Sequence, residues 1–85
     1  DFENLPDPFE SGFKGKQAIW LQKNLRLLGF FKGREAPYYG PGTKLSVTKF
    51  QRKHRIKDDG RFGTESKIML YGLSNVYQTP KLFNQ

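Results

Sequence analysis

No cysteine occurs among the 85 residues, and histidine and methionine occur once each. Without cysteine, the chain can hold neither a disulfide nor a thiolate-bound metal, and thiol nucleophile chemistry is excluded. One histidine among scattered acids makes no ligand set, so neither a metal nor another cofactor is expected. There is no Ser–His–Asp combination and no histidine with a paired acid. Gly40-Pro41-Gly42-Thr43 lacks the lysine and the spacing of a phosphate loop, and no strand precedes it. An enzymatic role for this chain is therefore not expected. No apolar run approaches the ~20 residues of a membrane span, and no basic-then-apolar leader stands at the N-terminus. The sequence opens on Asp1, and its only methionine is Met69, which suggests a piece of a longer or processed protein.

What the sequence does hold is positive charge. Fifteen Lys and Arg against eight Asp and Glu give a formal net charge of +7. The first ten residues carry four acids and no base, so the other seventy-five carry +11. Such a balance fits a nucleic acid, an anionic lipid or a carboxylate-rich polymer such as bacterial cell wall, and equally a merely solvated surface. A chain this short forms one domain that buries roughly 60–65% of its unfolded surface. Its 35% of hydrophobic residues are enough for a core.

An internal echo organises the chain. Tyr39-Gly40-Pro41-Gly42-Thr43 through Phe50 and Phe62-Gly63-Thr64-Glu65-Ser66 through Leu73 share one pattern, twenty-three residues apart. Each reads aromatic, Gly, two spacers, a hydroxyl residue, three spacers, an apolar residue, two spacers, an apolar residue. Glycine at the N-cap tolerates non-helical dihedrals, and Pro41 stands where a missing N–H costs nothing. Thr43 and Ser66, at the third helical position, can bond back to the cap. The echo predicts two helices started by the same tight turn.

Residues 1–14, with Pro6, Pro8 and Gly12, show no period and read as an extended arm or linker remnant, with Leu5, Phe9 and Phe13 as pins. A first helix is expected from Lys16 to Leu28, with Gly15 before it and Gly29 after it. Ala18, Leu21, Leu25 and Leu28 form its buried stripe. Trp20 flanks that stripe, either closing the core or offering a ring for stacking. Two adjacent tyrosines, Tyr38 and Tyr39, cannot both face inward, so one should be exposed. The second helix spans Pro41 to His54 with Val47 and Phe50 inward, and it is the most basic segment. The third spans Thr64 to Tyr71 with Ile68, Leu70 and Met69 inward, ended by Gly72. The main domain is thus 15–74, followed by an irregular tail over 75–85. The expected class is all-α, a small three-helix bundle with long turn-rich connectors.

Leu21-Gln22, Leu25, Leu28-Gly29-Phe30-Phe31, then Gly40 through Phe50-Gln51 and His54, then Asp59-Gly60, Gly63, Ser66 and Leu70 resemble the peptidoglycan-binding domain 1 family. The likeness covers about Lys16 to Leu73. It implies a PGBD-like three-helix fold and a non-catalytic module that anchors a larger protein, itself an enzyme or ATPase, to the wall. Glycan strands and stem peptides would be the partners, beside other domains of the parent chain, in the periplasm or cell wall. Metalloproteinase propeptides share the fold but inhibit through a cysteine that is missing here. Four departures stand out. Ala36-Pro37 replaces the first Asp-Gly, Ser46 an alanine, Thr64 a proline, and Arg55 the glycine that ends the second helix. Arg55 is therefore expected either to adopt a left-handed conformation at some cost or to lengthen the turn. The tail also looks similar to the C-terminal periplasmic part of the type II secretion ATPase, general secretion pathway protein A.

Peptidoglycan presents sugar faces, amides and carboxylates, which suit rings and cations. The resemblance and the helix starts together nominate Tyr38, Tyr39, Lys44, Gln51 and Arg61 as ligand-binding residues. For Tyr39 a packing role competes, and for Gln51 the tethering of a loop. A basic nucleic-acid-binding or protein-interaction domain is the alternative. Nucleic acid is not expected, because nine residues separate His54 from Thr64, whereas a helix-turn-helix uses ~3–4. The third helix, which would read bases, offers only Lys67 as a cation.

Overall fold

The computed structural model describes residues 5–78, with side chains described through residue 73. Three helices follow in order: α1 over Lys16–Leu27, α2 over Pro41–Lys53 and α3 over Thr64–Gln78. Among the described residues the only ladder-type pairing is one antiparallel bridge between Lys14 and Tyr38. The expected all-α bundle is the observed one.

Helix α1 buries Ala18, Leu21 and Leu25 at three- and four-residue spacing, with Gln22 and Asn24 beside them. Beyond Leu28 the backbone turns at Gly29, with φ 90°. Gly29 N–H donates to Arg26 O at 3.0 Å and Phe30 N–H to Leu25 O at 2.8 Å. These two bonds form a Schellman motif, which satisfies carbonyls left open by the last turn. Helix α2 closes the same way. Arg55 N–H donates to Arg52 O at 3.3 Å and Ile56 N–H to Gln51 O at 2.8 Å. Arg55 itself has φ 60°, so of the two expected outcomes it takes the left-handed conformation. Such a conformation costs a residue with a Cβ about 1 kcal/mol.

Helix α3 departs from expectation twice. It runs through Gly72 to Gln78, so residues 75–78 of the expected irregular tail are helical, because a single helical glycine weakens a helix by about 1 kcal/mol without stopping it, and no proline follows until Pro80. The tail residues Pro80, Leu82 and Phe83 lie outside the described residues. Ile68 is 65% exposed while Leu70 is fully buried. Two residues along an α-helix is a rotation of roughly 200°, so both could not face inward. Leu70 takes the core, with Met69 and Leu73 packed at its edge.

The core contains Phe9, Leu21, Leu25, Phe31, Tyr39, Val47, Phe50, Phe62 and Leu70. Phe9 comes from the N-terminal arm, yet only 1% of it is exposed. Its ring meets Phe13, Tyr39 and Phe62 edge to face, at centroid distances of 5.2, 5.2 and 6.0 Å. The backbone follows the rings: Tyr39 N–H donates to Phe13 O and Phe62 N–H to Phe9 O, both at 2.8 Å. Leu5 and Phe13 pack against the same core. One segment thus clasps the starts of both later helices. Trp20 closes the core beside Phe62, 6.4 Å between centroids, which was the packing alternative for that residue.

Candidate functional site

Two buried glutamines set the geometry. Gln51 Oε1 accepts from Gly60 N–H at 2.9 Å, and its Nε2 donates to Arg61 O at 2.7 Å and Ser66 Oγ at 3.0 Å. Gln22 does the same one repeat earlier. Its Oε1 accepts from Ala36 N–H at 2.8 Å, and its Nε2 donates to Tyr38 O and Thr43 Oγ1, both at 3.0 Å. Each amide therefore holds the loop before a helix and the hydroxyl of that helix's third residue. Thr43 and Ser66 serve as acceptors for these glutamines, and Gly40 carries no side-chain cap bond. The expected bond back to the cap is replaced by a bond to the preceding helix. Ala36-Pro37 closes its turn through the same Gln22 acceptor, so the missing Asp-Gly is not needed there.

Five residues were nominated for binding, and the structure divides them. Gln51 is 1% exposed and Tyr39 fully buried, so neither reaches a surface-bound polymer. Tyr39 Oη donates to Gly60 O at 2.7 Å. Burial first, and the Asp59 carboxylate second, hold its phenol pKa well above the ordinary value. Both side chains instead support the loop Asp59-Gly60-Arg61 from within. Asp59 Oδ1 accepts from Arg61 N–H at 3.0 Å and from Gln51 Nε2 at 3.3 Å. The backbone bond from Arg61 is the leading reason its pKa falls below the usual 3.8.

The other three nominated residues are exposed. Tyr38 is 44% exposed and lays its ring against the start of α2, so closely that a Cβ at Gly40 would come within 2.8 Å of it. Lys44 passes over the loop, where a Cβ at Gly60 would lie 2.8 Å from its Cγ; with φ 77° as well, that position requires glycine. Arg61 is exposed too, but Glu10 at 3.8 Å and Asp59 at 3.7 Å share its charge. Among the described residues no acid pairs with Lys44. A band thus runs from the Tyr38 ring across the α2 start and Lys44 to Arg61. His54 lies away from that band, against Phe50 at 4.9 Å and Phe30 at 6.3 Å between centroids. Burial, helped by Lys53, lowers its pKa below 6.5.

Two open grooves lie outside the nominated residues. One, about 520 Å³, runs between the end of α2 and α3 and includes Arg55, Ile56 and Ile68. The other, about 330 Å³, runs between the end of α1 and α2 and includes Phe30, Leu45 and Lys49. Leu45 is 55% exposed, much like Ile68. Ile68 is expected in the core from its apolar character, and Leu45 has no expected role. The signal was present, however, because the two apolar residues echo at the same twenty-three-residue spacing.

Relatives carry the same architecture. The crystal structure of the SleB N-terminal domain superposes with a TM-score of 0.75 at 32% identity, covering 78% of this chain and 90% of that one. A spore cortex-lytic enzyme of Bacillus cereus is 34% identical over 61 residues, 72% of this chain and 24% of the enzyme. That of Oceanobacillus iheyensis is 33% identical over 66 residues, 78% of this chain and 24% of the enzyme. The chain thus spans about a quarter of the length of the curated relatives it matches. A family model matches residues 14–69, well over half of the sequence, and the chain belongs to the family described as "Putative peptidoglycan binding domain".

Proposed function

We propose that this chain is a non-catalytic module that holds peptidoglycan and anchors a larger, wall-directed protein in the bacterial envelope. The observation that carries the reading, beside family membership, is the band of Tyr38, Lys44 and Arg61 around the start of α2. An aromatic face suits the apolar side of a sugar ring. Lys44 and the N-terminal end of a helix both suit carboxylates of the stem peptides. The +7 net charge adds long-range attraction to an anionic polymer. Weak individual contacts suffice, because an immobilised polymer keeps the local concentration of sites high. The relatives described above are cortex-lytic enzymes, and they lend no support to a place in type II secretion. That likeness rests on position and on the tail after the last motif helix, most of which lies outside the described residues.

Co-sedimentation with purified sacculi tests the reading. The chain is expected to pellet at low salt and to be released progressively as salt screens the cationic face. A chain left wholly in the supernatant at low salt contradicts it. Replacing both Tyr38 and Lys44 by Ala is expected to reduce pelleting severalfold. Unchanged pelleting would move the contact to another face.

A further inference from the structure

The two grooves are related by the chain's own repeat. The residue that turns the backbone after each helix is Gly29 in one and Arg55 in the other, and the next residue is Phe30 or Ile56. On the facing helix, Leu45 corresponds to Ile68 and Ser46 to Met69, both at the twenty-three-residue offset. Repetition of helix and turn explains why each has a hollow at that point. It does not explain why both hollows keep a large, mostly exposed apolar side chain, 55% exposed at Leu45 and 65% at Ile68. Neither residue belongs to the core, so folding does not require apolar groups there.

The charge pattern points the same way. Lys49 rims the first groove, and its equivalent in the second is Gly72. The second groove has its cation from a different position, Arg55, which keeps φ 60° where the first repeat has glycine. A cation is thus present in both although its place has changed, and among the described residues no acid pairs with either. Glu65 also borders the second groove, where the first has Gly42. Lys32 lines the first groove as well, so that groove holds two cations and no acid, while the second holds Arg55 and Glu65; each sets apolar side chains beside at least one cation, which suits a small aliphatic side chain next to a carboxylate. Stem peptides of alanine and diamino acid present that combination at regular intervals.

We propose that the two grooves are a matched pair of subsites that take successive stem peptides of one wall polymer. The inference rests on the peptidoglycan reading and adds to it a second contact surface and a stoichiometry. A repeating ligand meeting a repeating site binds more tightly than either contact alone, because the second event is intramolecular.

Leu45→Ser and Ile68→Ser test this, singly and together, with helical circular dichroism and thermal midpoint confirming that the exposed substitutions leave the fold intact. Calorimetric titration with a monomeric disaccharide-tetrapeptide is expected to give, beside the contact at the start of α2, two groove sites per wild-type chain, one in each single variant and none in the double variant, which keeps only the α2-start contact. Retention on sacculi is expected to fall at least tenfold in each single variant, since avidity is lost with either groove. A wild-type stoichiometry of one overturns the proposal. So does a double variant that pellets like wild type, and that result leaves the peptidoglycan reading standing. A wild-type chain that never pellets removes both. A dimer seen in sedimentation velocity and lost on Leu45→Ser or Ile68→Ser would assign the grooves to self-association and also overturn the proposal.

Discussion

The start of α2 and the start of α3 are two versions of one device, and their differences separate what the fold requires from what is free to vary. Both have glycine before the helix, a hydroxyl two residues into the regular turn, and a buried glutamine holding loop to helix. Both aromatic rings meet Phe9. The versions part at the ring itself. Tyr39 adds a hydroxyl that reaches across to Gly60 O in the second loop, while Phe62 has nothing comparable. The first version therefore braces the second. They part again at the surface, where Tyr38 presents a ring and Arg61 a cation partly neutralised by Glu10 and Asp59.

The comparison can be tested by removing what the two starts share and then what distinguishes them. Phe9→Ala takes away the ring that touches both and should cost about 3–5 kcal/mol. In a domain of this size that leaves little or no net stability, read as loss of a cooperative thermal transition. Gln22→Ala and Gln51→Ala each leave buried N–H and C=O groups unpaired and should cost about 2–4 kcal/mol apiece in urea denaturation. Similar costs for the two would support the equivalence; a neutral effect at either position would break it. Tyr39→Phe makes the first start resemble the second and should cost about 1–2 kcal/mol, the penalty of an unsatisfied buried acceptor.

Arg55→Gly makes the second helix end resemble the first. It should stabilise the chain by about 1 kcal/mol through relief of the left-handed backbone, raising the thermal midpoint by a few degrees. The smallest effect is one of pH. Asp59 has a folded pKa below its usual 3.8, so its contribution is present above about pH 4 and is lost as the pH falls through the folded value. Asp59→Asn should flatten that part of the acid unfolding curve, and an unchanged curve would show that the loop carboxylate is not coupled to folding.

Much of this was legible from residue spacing. The echo located two helix starts, and Gly29 after the apolar stripe marked the end of α1, because those signals depend only on neighbours in sequence; that Arg55 stands in for a glycine after α2 came from the family resemblance. That one of Tyr38 and Tyr39 is exposed followed from their adjacency, but which one did not. What escaped depends on contacts between distant segments. Gln51 and Tyr39 were open to a ligand or to the competing roles of loop tether and packing; the structure gives them the competing roles, since each is satisfied by the loop around Gly60, reached only after the chain has folded back. Ile68 looked like core because it is apolar, and only its angle from Leu70 around α3 places it outside. Gly72 looked like a helix end, but nothing after it forced the chain to turn.

The proposed module holds muropeptides through its surface without altering them. An isotope-labelled chain titrated with a defined disaccharide-tetrapeptide should show backbone amide shifts around the start of α2 and along residues 42–49 and 65–72. The muropeptide's own resonances should meanwhile stay those of intact ligand over days. Amides that remain unmoved at millimolar muropeptide, or ligand signals that convert to cleaved product, would contradict it.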